Sequence, residues 1–310
     1  MVARQNAPEL AVEIAGVRLK NPIVTASGTF GFGREYSEFY DLSELGAVCV
    51  KGLTLRPRLG NPPPRIAETP MGILNSVGLQ NPGIHRFIEE EIPFLRQFDT
   101  KIIANISGST LEEYIEIAEI AGHADVDLVE VNISCPNVRA GGMTFGTSCD
   151  SVTELVRAVR RVCPRPLIVK LSPNVTDIAE IARAAEAAGA DALSLINTLL
   201  GMRIDIKTRR PVLKNNMGGL SGRAVFPVAV RMVWQVARAV ALPIIGMGGV
   251  ASGDDAVELM LAGAHAVAVG TACFTDPMAP IRVRDGLEEY LRKNGVSAAS
   301  ALISGVIPHD

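Results

Sequence analysis

The stretch Ala262-Gly263-Ala264-His265-Ala266-Val267-Ala268-Val269 carries the pattern that decides the fold. Its glycine ends a helical segment, since glycine readily adopts the left-handed conformation found at helix C-termini. The apolar run that follows is typical of a strand buried on both faces. The same order recurs upstream, where Ala188-Gly189-Ala190-Asp191 precedes an apolar run that begins at Ala192. Each stretch therefore reads as the end of a helix, a turn and a buried strand.

Outward from these two stretches, short apolar runs recur along the chain, separated by segments with helical spacing. Leu111, Tyr114, Ile115 and Ala118, for example, follow the i, i+3, i+4, i+7 pattern of a helix with one apolar face. Alternation of buried strands with such helices predicts a parallel sheet. The runs begin near Ile23, Ala47, Lys101, Leu128, Leu167, Ala192, Pro243 and Ala266.

Eight such units predict an α/β fold, a closed (β/α)8 TIM barrel, with residues 1–310 forming a single domain. An open doubly wound sheet is the alternative, but no Gly-x-Gly-x-x-Gly motif follows the first strand. Residues 10–20 fit a short N-terminal hairpin around Gly16. The long connections 52–82, 133–148 and 198–224 all follow strands, which puts them on the C-terminal face, where barrel enzymes have their active sites.

Composition excludes several classes of function. Of the 310 residues, 48% are hydrophobic and 20% charged, which indicates a folded globular protein. The net charge of −3 leaves no basic excess for nucleic acid or an anionic membrane. Residues 1–10 lack the apolar core of a signal peptide, and no apolar run is long enough to span a bilayer. We therefore expect a cytoplasmic protein that binds neither nucleic acids nor membranes.

Polar residues stand at strand ends, where side chains of a parallel barrel converge. We expect one shared site on the C-terminal rim, because polar groups at several strand ends are more than simple capping requires. Its two lysines would repel each other unless an anionic or electron-rich ligand lay between them. Alternatively, Lys170 would form a Schiff base with a substrate, and the protein would then be a lyase. The rim residues are Lys51, Asn105, Asn132, Lys170 and Asn197.

Glycines follow the last two strands. Residues 246–253 read Gly-Met-Gly-Gly-Val-Ala-Ser-Gly, and Gly270-Thr271 follows the eighth strand. Glycine lets backbone N–H groups approach a phosphate closely, and barrels commonly hold phosphate after strands seven and eight. The pattern predicts a phosphate site without saying whether the phosphate belongs to a substrate or a cofactor.

The candidate base is a cysteine. Cys135 follows the fourth strand and precedes the hinge Gly141-Gly142, a position where a thiol can be partly exposed and ionised. The five cysteines have neither disulfide nor zinc spacing, so no metal site is predicted. The histidines are poor candidates for the base, since His123 and His265 lie in helix-to-strand turns, His85 near a helix start and His309 at the C-terminus. We expect inert buried thiols at Cys49, Cys163 and Cys273. Cys149 is left undecided.

These motifs resemble the class 1 dihydroorotate dehydrogenases over almost the whole chain. Asn132-Ile133-Ser134-Cys135-Pro136-Asn137 looks like the active-site loop of that family, and residues 51–54, 60–65 and 74–83 are similar to it as well. Pro-Pro-Pro-Arg at 62–65 and Leu-Gln-Asn-Pro-Gly at 79–83 resemble class 1B, the NAD-linked type. The chain departs from the family at Ser148-Cys149-Asp150, where Asp-Pro or a similar pair is usual.

The resemblance implies that the protein oxidises (S)-dihydroorotate to orotate in de novo pyrimidine (UMP) biosynthesis. Cys135 would act as the catalytic base, and Lys170 would stabilise negative charge on the reduced flavin. FMN would contact Ser27, Lys51, Gly52, Asn105, Asn132, Lys170, Ile196, Gly222, Gly248, Gly249, Gly270 and Thr271. Dihydroorotate would contact Lys51, Asn75, Ser76, Val77, Gly78, Leu79, Asn132, Asn197 and Thr198.

The resemblance to class 1B also implies a partner. The chain has neither a dinucleotide fingerprint nor an iron–sulfur cysteine pattern, so transfer to NAD would need an electron-transfer subunit with FAD and a 2Fe-2S cluster. Such a pair would form a heterotetramer with two copies of each chain. Three alternatives stay open: a homodimeric class 1A enzyme that uses fumarate, the Lys170 lyase, and a barrel without catalytic activity.

Overall fold

A closed barrel of parallel strands organises the molecule, of which the computed structural model describes residues 7–133 and 145–309. Within these residues eight strands follow one another around the barrel in chain order, and the last pairs with the first. All eight predicted runs form barrel strands, and helices lie between them. The predicted (β/α)8 barrel is confirmed, and the open doubly wound sheet was the wrong alternative.

The strands of the described residues include the parallel barrel strands and further antiparallel ones. In chain order they are β1 (Val12–Ile14), β2 (Val17–Leu19), β3 (Ile23–Thr25), β4 (Ala47–Cys49), β5 (Ile66–Thr69), β6 (Gly72–Asn75), β7 (Lys101–Ile106), β8 (Leu128–Asn132), β9 (Leu167–Lys170), β10 (Ala192–Leu195), β11 (Leu199–Gly201), β12 (Ile204–Asp205), β13 (Arg210–Pro211), β14 (Gly218–Ser221), β15 (Ile244–Met247) and β16 (Ala266–Val269). The barrel consists of β3, β4, β7, β8, β9, β10, β15 and β16.

The helices of the described residues lie mostly between consecutive barrel strands. They are α1 (Ile84–Arg86), α2 (Ile92–Leu95), α3 (Leu111–His123), α4 (Cys149–Val162), α5 (Ile178–Ala187), α6 (Phe226–Ala237), α7 (Gly253–Ala262), α8 (Ala272–Thr275) and α9 (Ala279–Lys293). A π-helical turn, Phe87–Glu91, joins α1 to α2. Single 3-10 turns occur at Tyr36–Glu38, Leu42–Glu44, Arg223–Val225 and Ala299–Leu302.

Burial explains why the runs form strands and the spaced segments form helices. Every residue of β9 and of β16 is buried, as expected for strands with side chains packed on both faces. On α4 the buried residues are Val152, Leu155, Val156 and Val159, which form the single apolar stripe that the spacing predicted. The apolar stripe of each outer helix therefore covers the barrel, and the polar strand ends are left for the rim.

The N-terminal hairpin is confirmed as the antiparallel pair β1 and β2, with Ile14 opposite Val17. Its second strand ends at Leu19, shortly before β3 begins, which places the hairpin beside the N-terminal end of the barrel. Ile14 and Leu19 are fully buried, so the hairpin closes the end of the barrel that lies opposite the rim. No helix of the described ranges is long and apolar enough to cross a membrane.

Two of the long connections contain a small sheet that the sequence analysis treated as loops. In this sheet β11, β14, β6 and β5 are hydrogen-bonded in that order, all antiparallel, and β12 pairs with β13 in a separate hairpin. The sheet joins the connection after β4 to the connection after β10, because β6 pairs with β14. It therefore forms a wall above the C-terminal end of the barrel.

Candidate active site

A cavity of about 650 Å³ opens at the C-terminal ends of the barrel strands, beneath the small sheet. This volume lies within the range of about 300–1,000 Å³ that small-molecule sites usually occupy. The five rim residues predicted from the sequence all line it. The other predicted residues on its wall are Ser27, Gly52, Asn75, Val77, Gly78, Leu79, Ile196, Thr198, Gly248, Gly249, Gly270 and Thr271.

Strand register brings the rim residues to one level. In the pairing of β8 with β9, Asn132 lies opposite Lys170, and in the pairing of β9 with β10, Lys170 lies opposite Ser194. Deeper in the barrel, two residues before Asn132 on β8, Glu130 lies opposite Asn105 of β7. Because side chains alternate along a strand, Glu130 points to the same face as Asn132 and lies below it inside the barrel.

Lys170 is the most buried cation of this site, with 4% of its surface exposed. Its Nζ donates a hydrogen bond to Ser27 Oγ at 3.1 Å and lies 3.8 Å from Glu130 Oε1. Burying an ammonium group without a counter-ion costs on the order of several kcal/mol in lost hydration. The carboxylate of Glu130 offsets that cost before any ligand is bound.

Glu130 is the centre of a buried cluster, here called the Glu130 cluster, which consists of Glu130, Lys170, Asn105, Ser194 and Cys49. Its Oε1 accepts hydrogen bonds from Asn105 Nδ2 at 2.5 Å and from the Cys49 thiol at 3.4 Å. Its Oε2 accepts one from Ser194 Oγ at 2.6 Å. The cluster joins five neighbouring barrel strands, β4, β7, β8, β9 and β10, immediately below the cavity.

The expectation that only a ligand could compensate the rim lysines was therefore wrong for Lys170. The protein supplies the compensating charge itself, from a strand residue two positions before Asn132. Alternation along β8 places Glu130 on the same face as Asn132, but sequence alone does not identify its partner. Lys51, the other rim lysine, has its Nζ beside Gly28, 3.6 Å from where a Cβ of residue 28 would lie.

Hydrogen-bonded amide side chains line the part of the cavity beneath the small sheet. Asn197 Nδ2 donates to Asn132 Oδ1 at 3.1 Å, and Asn197 Oδ1 accepts from the Thr198 backbone N–H at 2.7 Å. Tyr114 Oη donates to the Asn132 carbonyl at 2.7 Å, which fixes the end of β8. These bonds hold a row of amides at one edge of the cavity, and amides can both donate to and accept from a planar polar ring.

Glycine allows the sheet to approach this row of amides. Asn75 lies opposite Gly219 in the pairing of β6 with β14, and Asn75 Nδ2 donates to the Gly219 carbonyl at 3.4 Å. A Cβ on Gly219 would lie 2.0 Å from Thr198 Oγ1, a distance at which atoms overlap. Gly219 is therefore required for Asn75 and Thr198 to line the same cavity, a close approach that the sequence analysis did not identify.

The opposite side of the cavity consists of the glycine turns after the last two barrel strands. Gly249, which follows β15, has a φ of +83°, and a Cβ there would lie 2.8 Å from Phe226 Cβ and 2.9 Å from the Gly222 carbonyl oxygen. Gly270 follows β16 and faces Ala26 and Thr29 across the turn. Glycines without side chains line this end of the cavity, so a phosphate could approach the backbone N–H groups there.

Two predicted site residues do not form part of the cavity wall. Ser76 lies between wall residues Asn75 and Val77 and is buried, and its Oγ has no hydrogen-bond partner among the described residues. Gly222 lies behind Gly249, close to it through its carbonyl oxygen. The predicted base, Cys135, lies outside the described residues.

Cys49, Cys163 and Cys273 fit the inert role expected of them, because all three are buried. Burial, and then the neighbouring Glu130 carboxylate, raises the pKa of the Cys49 thiol well above its ordinary value. Burial also raises the pKa of Cys163, and that of Cys273 to about 12. Cys149 begins α4 directly after Ser148, whose side chain caps the helix by accepting from the Ser151 N–H. None of these four thiols lines the cavity.

The cavity wall also contains residues that the sequence analysis did not select. Ile66 and Phe274 line its mouth, although 56% and 54% of their surfaces are exposed. Arg65 and Gln80 line it as well and are hydrogen-bonded to each other. Arg65 was noted only within a motif, since nothing in the spacing indicated that β5 turns back over the barrel. No group of acidic, cysteine or histidine side chains in the described ranges could hold a metal ion.

The chain is similar to known proteins over almost its whole length. The family model for dihydroorotate dehydrogenase matches residues 9–291. The chain is 61% identical to the protein named dihydroorotate dehydrogenase B (NAD(+)), catalytic subunit, of Alkaliphilus oremlandii, over 95% of the chain and 97% of the relative. Proteins of the same name from Geotalea daltonii and Caldicellulosiruptor saccharolyticus are 58% and 54% identical, each over 96% of the chain, and over 98% and 99% of their own lengths. The chain belongs to the dihydroorotate dehydrogenase family.

Proposed function

We propose that this chain is the catalytic chain of an NAD-linked dihydroorotate dehydrogenase, which oxidises (S)-dihydroorotate to orotate in pyrimidine biosynthesis. The observation that carries the proposal is that a single cavity gathers nearly all the described residues expected to contact FMN and dihydroorotate. Near-full-length identity to relatives named as catalytic subunits of the NAD(+) type supports the same activity. We further propose that residues 1–310 form one FMN-binding domain.

The cavity fits a flavin mononucleotide in three respects. Asn105 Oδ1 is buried at its wall and has no hydrogen-bond partner among the described residues, so it can accept from a ligand N–H group. Lys51 and Lys170 supply cations to a ring that gains negative charge on reduction. The backbone of Gly248, Gly249 and Gly270, together with Thr271, would hold the phosphate.

FMN, when bound, would supply the acceptor for the hydride that leaves C6 of dihydroorotate, since no amino-acid side chain can accept a hydride. The residues of the chain then do the rest. The Cys135 thiolate would take the proton from C5, which leaves a C5–C6 double bond in orotate. Asn75, Asn132, Asn197 and Thr198 would orient the pyrimidine ring, and Lys51 would contact both ligands. Lys170 would stabilise the negative charge that develops on reduction.

A partner would carry the electrons onward. We propose an electron-transfer subunit with FAD and a 2Fe-2S cluster, in a heterotetramer of two copies of each chain. The rival, a class 1A enzyme, would transfer electrons to fumarate without a partner. We expect the isolated chain, once reduced by dihydroorotate, to be reoxidised neither by fumarate nor by NAD, and NAD to become effective only when the partner is added. Rapid turnover with fumarate alone would favour class 1A.

One visible spectrum tests the proposed function. The purified chain is expected to show flavin absorption bands that bleach when dihydroorotate is added without oxygen, with one orotate formed per flavin. A colourless protein that is trapped covalently by borohydride would instead support the Lys170 lyase. A protein that is colourless and is not trapped would support a barrel without catalytic activity.

Replacing Gly249 with alanine tests the phosphate site. The new Cβ would meet Phe226 and the Gly222 carbonyl at under 3.0 Å, so the turn must shift. We expect at least a tenfold weaker FMN affinity, roughly 1.4 kcal/mol, measured by fluorescence titration of the FMN-free chain. Gly16→Ala is the matched control, because Gly16 also has a positive φ, +79°, but nothing lies within 4 Å of a Cβ there. A similar loss of affinity in both variants would contradict the role of the Gly249 turn.

A further inference from the structure

We infer that Glu130 is a positioning residue for the flavin site and acts through Lys170. The inference rests on the proposed function and extends it to a residue that does not line the cavity. Glu130 has 1% of its surface exposed, yet it interacts with two residues that do line the cavity, Lys170 and Asn105. A carboxylate at this depth needs several partners, and its partners here come from four neighbouring strands.

Glu130 helps to fix the position of Lys170. Its ammonium group is confined between Ser27 Oγ, at 3.1 Å, and Glu130 Oε1, at 3.8 Å. These two contacts set its position against the cavity before any ligand arrives. Electrostatic stabilisation of a reaction depends on charges that are already in place. Glu130 preorganises the site because it holds the Lys170 ammonium group in position and compensates its charge while no ligand is bound.

Glu130 also orients the side chain of Asn105. Its Nδ2 donates to Glu130 Oε1, so its Oδ1 is the atom left for the cavity side, and that oxygen is buried without a partner among the described residues. An amide has one accepting end and one donating end, and Glu130 can bind only the donating end. Glu130 therefore determines that Asn105 offers an acceptor to the ligand. A Cβ on Gly52 would lie 2.9 Å from this oxygen, so Gly52 leaves it uncovered.

A double-mutant cycle separates this role from general support of the fold. The variants are Glu130→Gln, Lys170→Met and the double variant, and Gln is chosen because it keeps the size of the side chain and removes its charge. FMN affinity is measured by titration of each FMN-free chain, and flavin reduction by dihydroorotate is measured by anaerobic stopped flow. We expect Glu130→Gln to weaken FMN binding and slow reduction at least about tenfold, within the range of coupling between contacting residues.

In the Lys170→Met background the same replacement is expected to change either quantity by no more than about threefold, because Lys170 is gone and the glutamine amide oxygen can still accept from Asn105 Nδ2. An equal factor in both backgrounds, or a Glu130→Gln variant indistinguishable from the unmodified chain, would overturn the inference. Cys49→Ala is the matched control, since it removes a weaker contact to the same carboxylate and leaves the ion pair intact. It is expected to stay within threefold of the unmodified chain.

The experiment includes a replacement variant and the unmodified chain. If Glu130→Gln does not fold, Glu130→Asp replaces it in the cycle, because it keeps the charge but withdraws the carboxylate from Lys170, and the same outcomes apply. The unmodified chain tests the proposed function in the same experiment. If it binds no FMN, or if dihydroorotate does not reduce it, the proposed function fails. If it does both and the cycle is additive, only the role of Glu130 fails.

Discussion

Replacing Cys135 with alanine is expected to leave a yellow, folded protein whose reduction by dihydroorotate is slower by a factor of about 10²–10⁴. Alanine removes the group that would take the C5 proton. No histidine can substitute for it, since all four lie within the described residues and none of them lines the cavity. The residues proposed to hold FMN are unchanged, so its affinity should change little. Anaerobic stopped flow, which follows flavin absorbance after mixing with dihydroorotate, measures the effect directly.

Cys149→Ala is the control for that experiment. Cys149 is the free cysteine nearest in sequence to Cys135 among the described residues, and it begins α4 away from the cavity wall. Its replacement should leave both the FMN affinity and the rate of flavin reduction within about twofold of the unmodified chain, as is usual for sites remote from the chemistry. Turnover of Cys135→Ala at the rate of the unmodified chain would refute the assignment of the base.

The barrel could be predicted from the sequence because each of its signals is local. A buried parallel strand is a short continuous apolar run, as in β16, and the glycine at a helix end marks where the next strand is about to begin. The polar strand ends could be predicted for the same reason, since closure of the barrel brings every C-terminal strand end to one rim. Lys170 and Asn132, which lie opposite each other in β9 and β8, needed no further information.

The parts that could not be predicted depend on pairings between distant segments. Strands β6 and β14 are four residues long, and Asn75 pairs with Gly219, which is 144 residues further along the chain. Their alternation is too brief to identify either as a strand. The ion pair between Glu130 and Lys170 is equally hidden, because strand alternation shows which face a residue takes but not which charge lies opposite. Sequence patterns do not establish what each of these residues does in the reaction, which only measurements on variants can show.

Replacing Lys170 with methionine is expected to affect both the chemistry and the stability of the protein. The chemical effect follows from the loss of a positioned cation from the cavity wall, and a lost preorganised charge or donor typically slows reaction about 10²–10³-fold. The stability effect follows from Glu130, which would be left buried without its counter-ion at a cost of about 3–5 kcal/mol. Flavin reduction by dihydroorotate measures the first effect, and urea unfolding of the FMN-free chain measures the second.

The double variant Lys170→Met/Glu130→Gln separates the two effects. It replaces a buried ion pair by two uncharged side chains of similar size, and such replacements are often neutral for stability. We therefore expect the free energy of unfolding to recover most of the loss seen in Lys170→Met, whereas flavin reduction stays slow. Recovery of both would show that the cation serves only to stabilise the barrel. Recovery of stability alone would mean that the charge of Lys170 is needed for flavin reduction but not for the stability of the barrel.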